Sequence, residues 1–401
     1  MLCVQECFIS APGKSILHGE HAVVHGKVAL AVSLNLRTYL WLQVTSSSEV
    51  SISLPNIDTF LCWNTSVLKP LLSHCTGVGE CRSSTELDTE LVRKLREFTA
   101  VSDGSTDTRS MAVLAFLYTY LCVFSQSEIL PGLKVCVWSE LPTGAGLGSS
   151  AAYSVCVSAA LLTARETIRS PLTQSQETAR WSDEELELIN NWAFQGETII
   201  HGNPSGVDNA VGTWGGFLRY HAGKITPLNR VPTLRILLTN TKVPRSTKLL
   251  VSRVKDRITQ YPSVLIPVLE SVDAVSHICE RTLAEMATEG ASAKHYSTLE
   301  DLIDINQQHL NVMGVGHTSL NTLCQVTLAH GLHSKLTGAG GGGCAITLLT
   351  PETEEHVVRD VIEELKQIGF DCWETSIGAL GVLMHSPTSV PHNILQILTK
   401  Y

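Results

Sequence analysis

The segment Pro142-Thr-Gly-Ala-Gly-Leu-Gly-Ser-Ser150 sets three glycines at alternate positions and closes on two hydroxyls. Glycine has no Cβ, so such a loop can reach positive φ and bring backbone N–H groups against a ligand. If a helix opens at its end, the unpaired N–H donors and the positive end of the dipole favour an anion, phosphate above all. Ser149 and Ser150 add oxygens able to cap that helix or to ligate a hard cation. This is not a Walker A loop, because no lysine follows the last glycine. A cation for phosphate must come from elsewhere, and an ordinary strand-to-helix turn explains the loop equally well when it is taken alone.

Ala11-Pro-Gly-Lys-Ser-Ile-Leu-His-Gly-Glu-His-Ala-Val-Val-His-Gly26 supplies such a cation in Lys14, with Glu20 and His21 nearby. His18, His21 and His25 have helical spacing, yet neither a cysteine nor a second carboxylate accompanies them, and histidines satisfied within a helix are a better reading than zinc ligands. Phe194-Gln-Gly-Glu-Thr-Ile-Ile-His-Gly-Asn-Pro-Ser-Gly-Val-Asp-Asn209 adds Glu197 near a helix end and Asp208 after a turn capped by Ser205. Taken singly, an exposed helix carboxylate and a helix cap explain them. Taken together with the loop, Glu197 and Ser150 suit Mg²⁺ bridging two phosphates, and Asp208 suits a group that accepts or orients the proton of an attacking hydroxyl.

A second cluster, Leu336-Thr-Gly-Ala-Gly-Gly-Gly-Gly-Cys344, satisfies Gly-x-Gly-x-x-Gly through Gly338, Gly340 and Gly343. A dinucleotide fingerprint needs a helix after it, and the strand-like Cys-Ala-Ile-Thr-Leu-Leu follows instead. A loop closing over substrate or phosphate and a plain tight turn remain about equally good readings.

The elements that must position these groups can be read from periodicity. The pattern predicts a strand at residues 7–10, a helix from Ser15 to His25, strand formers from Val28 to Val44 and a hairpin near Val50 to Leu54. A surface loop over residues 99–108 leads to a helix from Arg109 to Ser125. Leu133 to Trp138 alternates as a strand, and an Ala- and Val-rich helix runs from Ala151 to Ala164, giving a strand, phosphate-type loop, helix unit around the glycines. Ser182-Asp-Glu-Glu185 is a capping-box start for a helix ending near Ile200, and a short helix begins at Ser205. Turn signals between Tyr220 and Pro232 mark a boundary at residue 229, dividing the chain into 1–229 and 230–401. Beyond it come a strand at Leu234 to Thr239, long helices over about 251–289 and 299–312, a strand at 344–349, a helix at 352–368 and a strand at 372–375, an α+β order.

With 401 residues, two domains are expected. Apolar residues at 44% and charged residues at 17% specify a chain that packs rather than one that stays disordered. A net charge of −9 without a basic run argues against nucleic acid as a partner, though not against ATP, whose phosphate sites are made locally. The twelve cysteines are scattered without metal spacing and read as reduced thiols. No basic-then-apolar leader opens the sequence, and the apolar run Met111 to Phe124 is shorter than the roughly 20 residues of a membrane span, so a cytoplasmic protein without a membrane partner is expected.

The motifs at Lys14, at Gly144 to Ser150, at Glu197 to Asp208 and at Gly338 to Gly343 together resemble the GHMP family of small-molecule kinases, in order and spacing across residues 11–344. The resemblance implies a ribosomal S5 domain 2-like N-terminal domain and a ferredoxin-like C-terminal domain with the active site between them, the last strand or tail packing back on the first domain. It implies ATP contacts from Lys14, Asn56, Ser139, Gly144, Ala145, Gly146, Leu147, Gly148, Ser149 and Ser150, Mg²⁺ on Ser150 and Glu197, and catalysis by Asp208 with Lys14 beside it. Glu20, His21, Ser205, Thr247 and Ala339 fall on the acceptor side, and Thr143, a departure from many relatives, outside the contacts. The expected acceptor is mevalonate, with phosphomevalonate, a sugar or a non-catalytic ligand sensor as rivals. A phosphorylated acceptor should want an extra basic cluster, which is missing, and a sensor should have lost a catalytic side chain, which this chain has not. The resemblance also implies a homodimer, feedback inhibition by prenyl diphosphates and the peroxisome as a second compartment, although no C-terminal Ser-Lys-Leu occurs.

Overall fold

The computed structural model describes residues 5–72 and 87–400 apart from 103, 106 and 174. The first half contains β1 (Glu6–His18), β2 (Ala29–Thr45), β3 (Glu49–Leu54), β4 (Thr59–Asn64), α1 (Thr65–Leu68), α2 (Thr89–Phe98), α3 (Thr108–Val123), β5 (Gly132–Ser139), α4 (Ser149–Ala164), β6 (Thr178–Ala179), α5 (Asp183–His201), α6 (Val207–Trp214), β7 (Phe217–His221) and β8 (Lys224–Leu228). The second contains β9 (Leu234–Asn240), α7 (Thr247–Gln260), α8 (Pro262–Glu289), α9 (Ala293–Val312), α10 (Thr318–Ala329), β10 (Ser334–Leu336), β11 (Cys344–Leu348), α11 (Glu355–Gln367), β12 (Asp371–Ile377), β13 (Leu383–His385) and α12 (His392–Leu398).

The long antiparallel pair β1 and β2 forms the spine, and β2 also carries β5 and β7. Helix α4 is buried on every side, which its small Ala, Ser and Val residues permit, and it packs on β1, β2, α3, α5 and α6. It therefore fixes its own N-terminus, and the glycine loop before it, against the middle of β1. The capping box expected at Ser182 is present, with Ser182 Oγ accepting from Glu185 N and Glu185 Oε2 accepting from Ser182 N, and it starts α5.

In the second half the strand order β10-β11-β9-β12, with every pairing antiparallel, is the ferredoxin-like arrangement. One contact, Ile377 opposite Leu34, joins that sheet to β2. The chain then returns: β13 pairs with β1, and Ile394 and Leu398 of α12 pack with Phe8, Tyr39 and Trp41. Helix α8 is apolar and long enough to cross a membrane by composition, and it turns Leu265, Leu269, Val272, Cys279 and Leu283 into the protein core. All nine cysteines among the described residues are free thiols, and burial pushes six of them well up, Cys7, Cys156, Cys324 and Cys344 to about 12.

Several expectations are corrected. The helix expected from Ser15 to His25 does not form: residues 15–18 continue β1 by pairing with β2, and only Ala22–His25 makes a 3₁₀ turn. The helical spacing of the histidines is outweighed by strand pairing, and Gly19 at φ 93° lies against Val28 O, where a Cβ would not fit. The turn-rich stretch around Tyr220 is the hairpin β7–β8. The long helix expected over 251–289 breaks at Tyr261–Pro262, since proline removes the N–H that would continue it. Helix α10 and the short strands β6, β10 and β13 were not anticipated.

Candidate active site

Lys14 on β1, Glu20 and His21 just beyond it, Asn56 after β3 and Ser139 at the end of β5 border a cleft of about 1010 Å³. Gly144, Gly146, Gly148, Ser149 and Ser150 border it from the glycine loop, Glu197, Ser205 and Asp208 from α5 and α6, and Thr247 and Ala339 from the second half. Thr143, expected outside, borders it as well. The side chains of Ala145 and Leu147 are buried beneath the loop, so these two can offer a ligand only their backbone.

Gly144, Gly146 and Gly148 all take positive φ, and Gly148 is the N-cap of α4. It supplies no capping side chain, so the first N–H groups of the helix face the cleft without that partner. Lys14 is locked to the loop through its own N–H, which donates to Leu147 O at 2.8 Å. A Cβ on Gly148 would lie 2.8 Å from Lys14 Cγ, so glycine is what lets strand and loop meet. From there Lys14 Nζ reaches Asp208 Oδ1 at 3.2 Å, Asp208 standing in the first turn of α6.

Glu197 lies 2% exposed, and its carboxyl is pushed up to about 8 by burial first and the charge of Asp208 second, with Ser150 and Lys14 pulling it down. Ser150 Oγ is 3.4 Å from Glu197 Oε2 and 3.0 Å from His201 Nε2. Glu197 Oε1 is buried without a hydrogen-bond partner. A carboxylate facing a second carboxylate, one oxygen unpaired, beside a hydroxyl and an anion-binding helix end is an all-oxygen donor set that suits Mg²⁺.

Asn56 and Ser139 bind each other: Asn56 Nδ2 donates to Ser139 O at 2.9 Å and Ser139 N donates to Asn56 Oδ1 at 2.8 Å. They close the end of β5 at the cleft wall. On the opposite side, His21 Nε2 donates to Ala339 O at 2.8 Å, which fixes the tautomer because a carbonyl can only accept. Burial holds the imidazole below its ordinary range. Glu20 borders the cleft, but its carboxylate is held by Lys335 and Asn306.

Sequence reasoning missed Arg245. Its Nη2 donates to Ala145 O at 2.8 Å and its Nη1 lies 3.5 Å from Gly342 O, so the guanidinium joins both glycine loops. It stands between β9 and α7 with no periodicity to mark it; the only available signal was a basic residue just before a predicted acceptor-side threonine. His201 was also missed, though its position four residues after Glu197 on a helix puts both on one face.

Fold and cleft together define an ATP-dependent small-molecule kinase of the GHMP class: residues 112–216 match the GHMP kinases N terminal domain and residues 287–367 the GHMP kinases C terminal. The chain is 58% identical to mevalonate kinase of Bos taurus and 57% identical to that of Homo sapiens, covering 97% of this chain in each case and 97% and 98% of the relatives. It superposes on L. major mevalonate kinase in complex with R-mevalonate with a TM-score of 0.66 at 20% identity, over 95% of this chain and 99% of that one. The chain belongs to the mevalonate kinase family.

Proposed function

We propose that this protein transfers the γ-phosphoryl group of ATP to the 5-hydroxyl of mevalonate, giving 5-phosphomevalonate and ADP. The observation that carries the reading is the Lys14–Asp208 pair, 3.2 Å apart, set beside the glycine loop in the cleft between the two halves. Asp208 accepts or orients the hydroxyl proton, and the acceptor oxygen then faces phosphate held over the N-terminus of α4. Phosphoryl transfer through a loose transition state needs positioning and charge more than bond-making by the protein. Lys14 supplies the positive charge that the loop lacks. Mg²⁺, when bound, would neutralise phosphate charge, and Ser150 and Glu197 are the residues to hold it.

The fully retained set Lys14, Ser150, Glu197 and Asp208 favours an enzyme over a ligand sensor. The identity of the relatives favours mevalonate over a sugar or phosphomevalonate. The reading extends to isoprenoid and sterol synthesis, a homodimer, feedback inhibition by prenyl diphosphates, and a cytoplasmic place with the peroxisome as a second one. A coupled assay of ADP release with MgATP and mevalonate, run beside phosphomevalonate and galactose, tests the core of it. Turnover confined to mevalonate is expected; faster turnover of either rival overturns the substrate.

A further inference from the structure

Lys335, Thr337 and Ala339 follow one another at every second position from β10 into the second glycine loop, a spacing that puts them on one side of an extended chain. Thr337 holds the end of β1, and Lys335 and Ala339 hold the turn just after it. Lys335 Nζ donates to Glu20 Oε1, and to Leu336 O at 2.7 Å. Thr337 Oγ1 accepts from Ile16 N at 3.0 Å, donates to Ile16 O at 3.0 Å and lies 2.9 Å from Ser15 Oγ. Ala339 O accepts from His21 Nε2. The seam runs under the acceptor side of the cleft, from the neighbour of Lys14 to His21.

Helix α9 braces the same point. Asn306 Nδ2 donates to Glu20 Oε2 at 3.0 Å, and Gln307 Oε1 accepts from Leu336 N at 2.8 Å. The side chains of Lys335 and Glu20 are both wholly enclosed. Such an enclosed pair is a poor device for stability, because well-packed apolar side chains of similar volume commonly do as well or better. Its location indicates another use. His21, the next residue, sits at φ 60°, a conformation a non-glycine residue keeps only when its surroundings enforce it.

Building on the proposed function, we infer that Lys335 is a positioning residue for the acceptor: with Asn306 it clamps Glu20, and through Glu20 it holds His21 against Ala339 with the imidazole bordering the acceptor side of the cleft. Lys335 itself does not border the cleft. The clamp grips the acceptor side and leaves the glycine loop before α4 to Lys14 and Arg245. Losing it should therefore weaken mevalonate binding and spare ATP.

Steady-state kinetics on the full chain test this with K335M, E20Q and E20Q/K335M, alongside titration with a non-hydrolysable ATP analogue. K335M should raise the KM for mevalonate at least about tenfold while the ATP KM and analogue affinity stay within about twofold. Because Lys335 acts through Glu20, adding K335M to E20Q should change the mevalonate KM by less than about twofold. Equal rises for both substrates, no rise at all, or the same factor in both backgrounds overturns the clamp. Should the unpaired carboxylate of K335M prevent folding, N306A carries the test, since it opens one arm and leaves the ion pair whole: a raised mevalonate KM with an unchanged ATP KM is expected, and an unchanged mevalonate KM overturns the clamp. A parent protein that turns over no mevalonate overturns the proposed function itself; an active parent with unchanged KM values in K335M overturns only the clamp.

Discussion

Asp208 Oδ1 and Lys14 Nζ stand 3.2 Å apart although one begins a short helix and the other lies mid-strand 194 positions earlier in the chain. The helix α6 carrying Asp208 packs on β1, and the N–H of Lys14 is tied to the glycine loop, so carboxylate, cation and loop share one frame. In the proposed reaction, preorganisation of that kind would place Asp208 without a further rearrangement at the moment of transfer.

Asp208→Ala removes the group proposed to meet the acceptor proton and leaves the loop untouched. kcat should fall by about 10²–10⁴-fold, the usual size of a general acid–base contribution, with affinity for an ATP analogue largely kept. Turnover close to that of the parent would remove Asp208 from the mechanism.

Glu197 gives a pH signature to the ligand-free protein. Its folded carboxyl titrates at about 8 against an ordinary 4.5, so between those values the folded state holds a proton that the unfolded chain has released. Stability must then fall as pH rises through that window and level off above it. Glu197→Gln cannot ionise, so it should flatten this slope and melt about 2–4 °C above the parent at pH 8.5, the shift expected for about 1 kcal/mol in a domain of this size. Mg²⁺ with an ATP analogue should stabilise the parent more than the variant. A variant whose melting profile against pH parallels the parent's contradicts the assignment.

Gly148→Ala tests the contact between loop and strand. Gly148 holds φ 72°, and the new Cβ would press on Lys14 Cγ. ATP KM should rise and kcat drop by about tenfold or more, with a stability loss of about 1–3 kcal/mol from backbone strain. Gly144→Ala makes the comparison, because its φ is the same and nothing lies within 4 Å of its added Cβ. Equal kinetic damage from both would show that backbone conformation, and not the approach to Lys14, is what matters.

What the sequence disclosed follows from where the information is local. The loop before α4, the cap at Ser182 and the carboxylates flanking His201 are each written within a dozen residues, and their types and order were readable. The end of β1 reads as helix in the sequence because His18, His21 and His25 have a helical spacing, which the pairing of residues 15–18 with β2 outweighs. Lys335 could not be found at all: a lysine in a short strand looks like surface charge, and its burial against Glu20 is created by packing two distant segments together. Arg245 was invisible for the same reason, since its meaning lies in the two loops it joins.

Arg245→Lys should separate joining from mere charge. The planar guanidinium reaches Ala145 O with Nη2 and approaches Gly342 O with Nη1, whereas an ammonium is a point donor that cannot span both. The guanidinium also occupies space left by an absent side chain, as a Cβ on Gly343 would fall 1.0 Å from Nη1. Gly343→Ala should therefore expel the arginine and reproduce the lysine variant: each should keep its fold and lose about tenfold or more in kcat. If both act by uncoupling the two loops, R245K/G343A will be no worse than either single change, a departure from additivity expected of groups in contact. A double variant whose losses multiply would mean that Arg245 and Gly343 serve the cleft independently, and the bridge between the loops would then have no part in turnover.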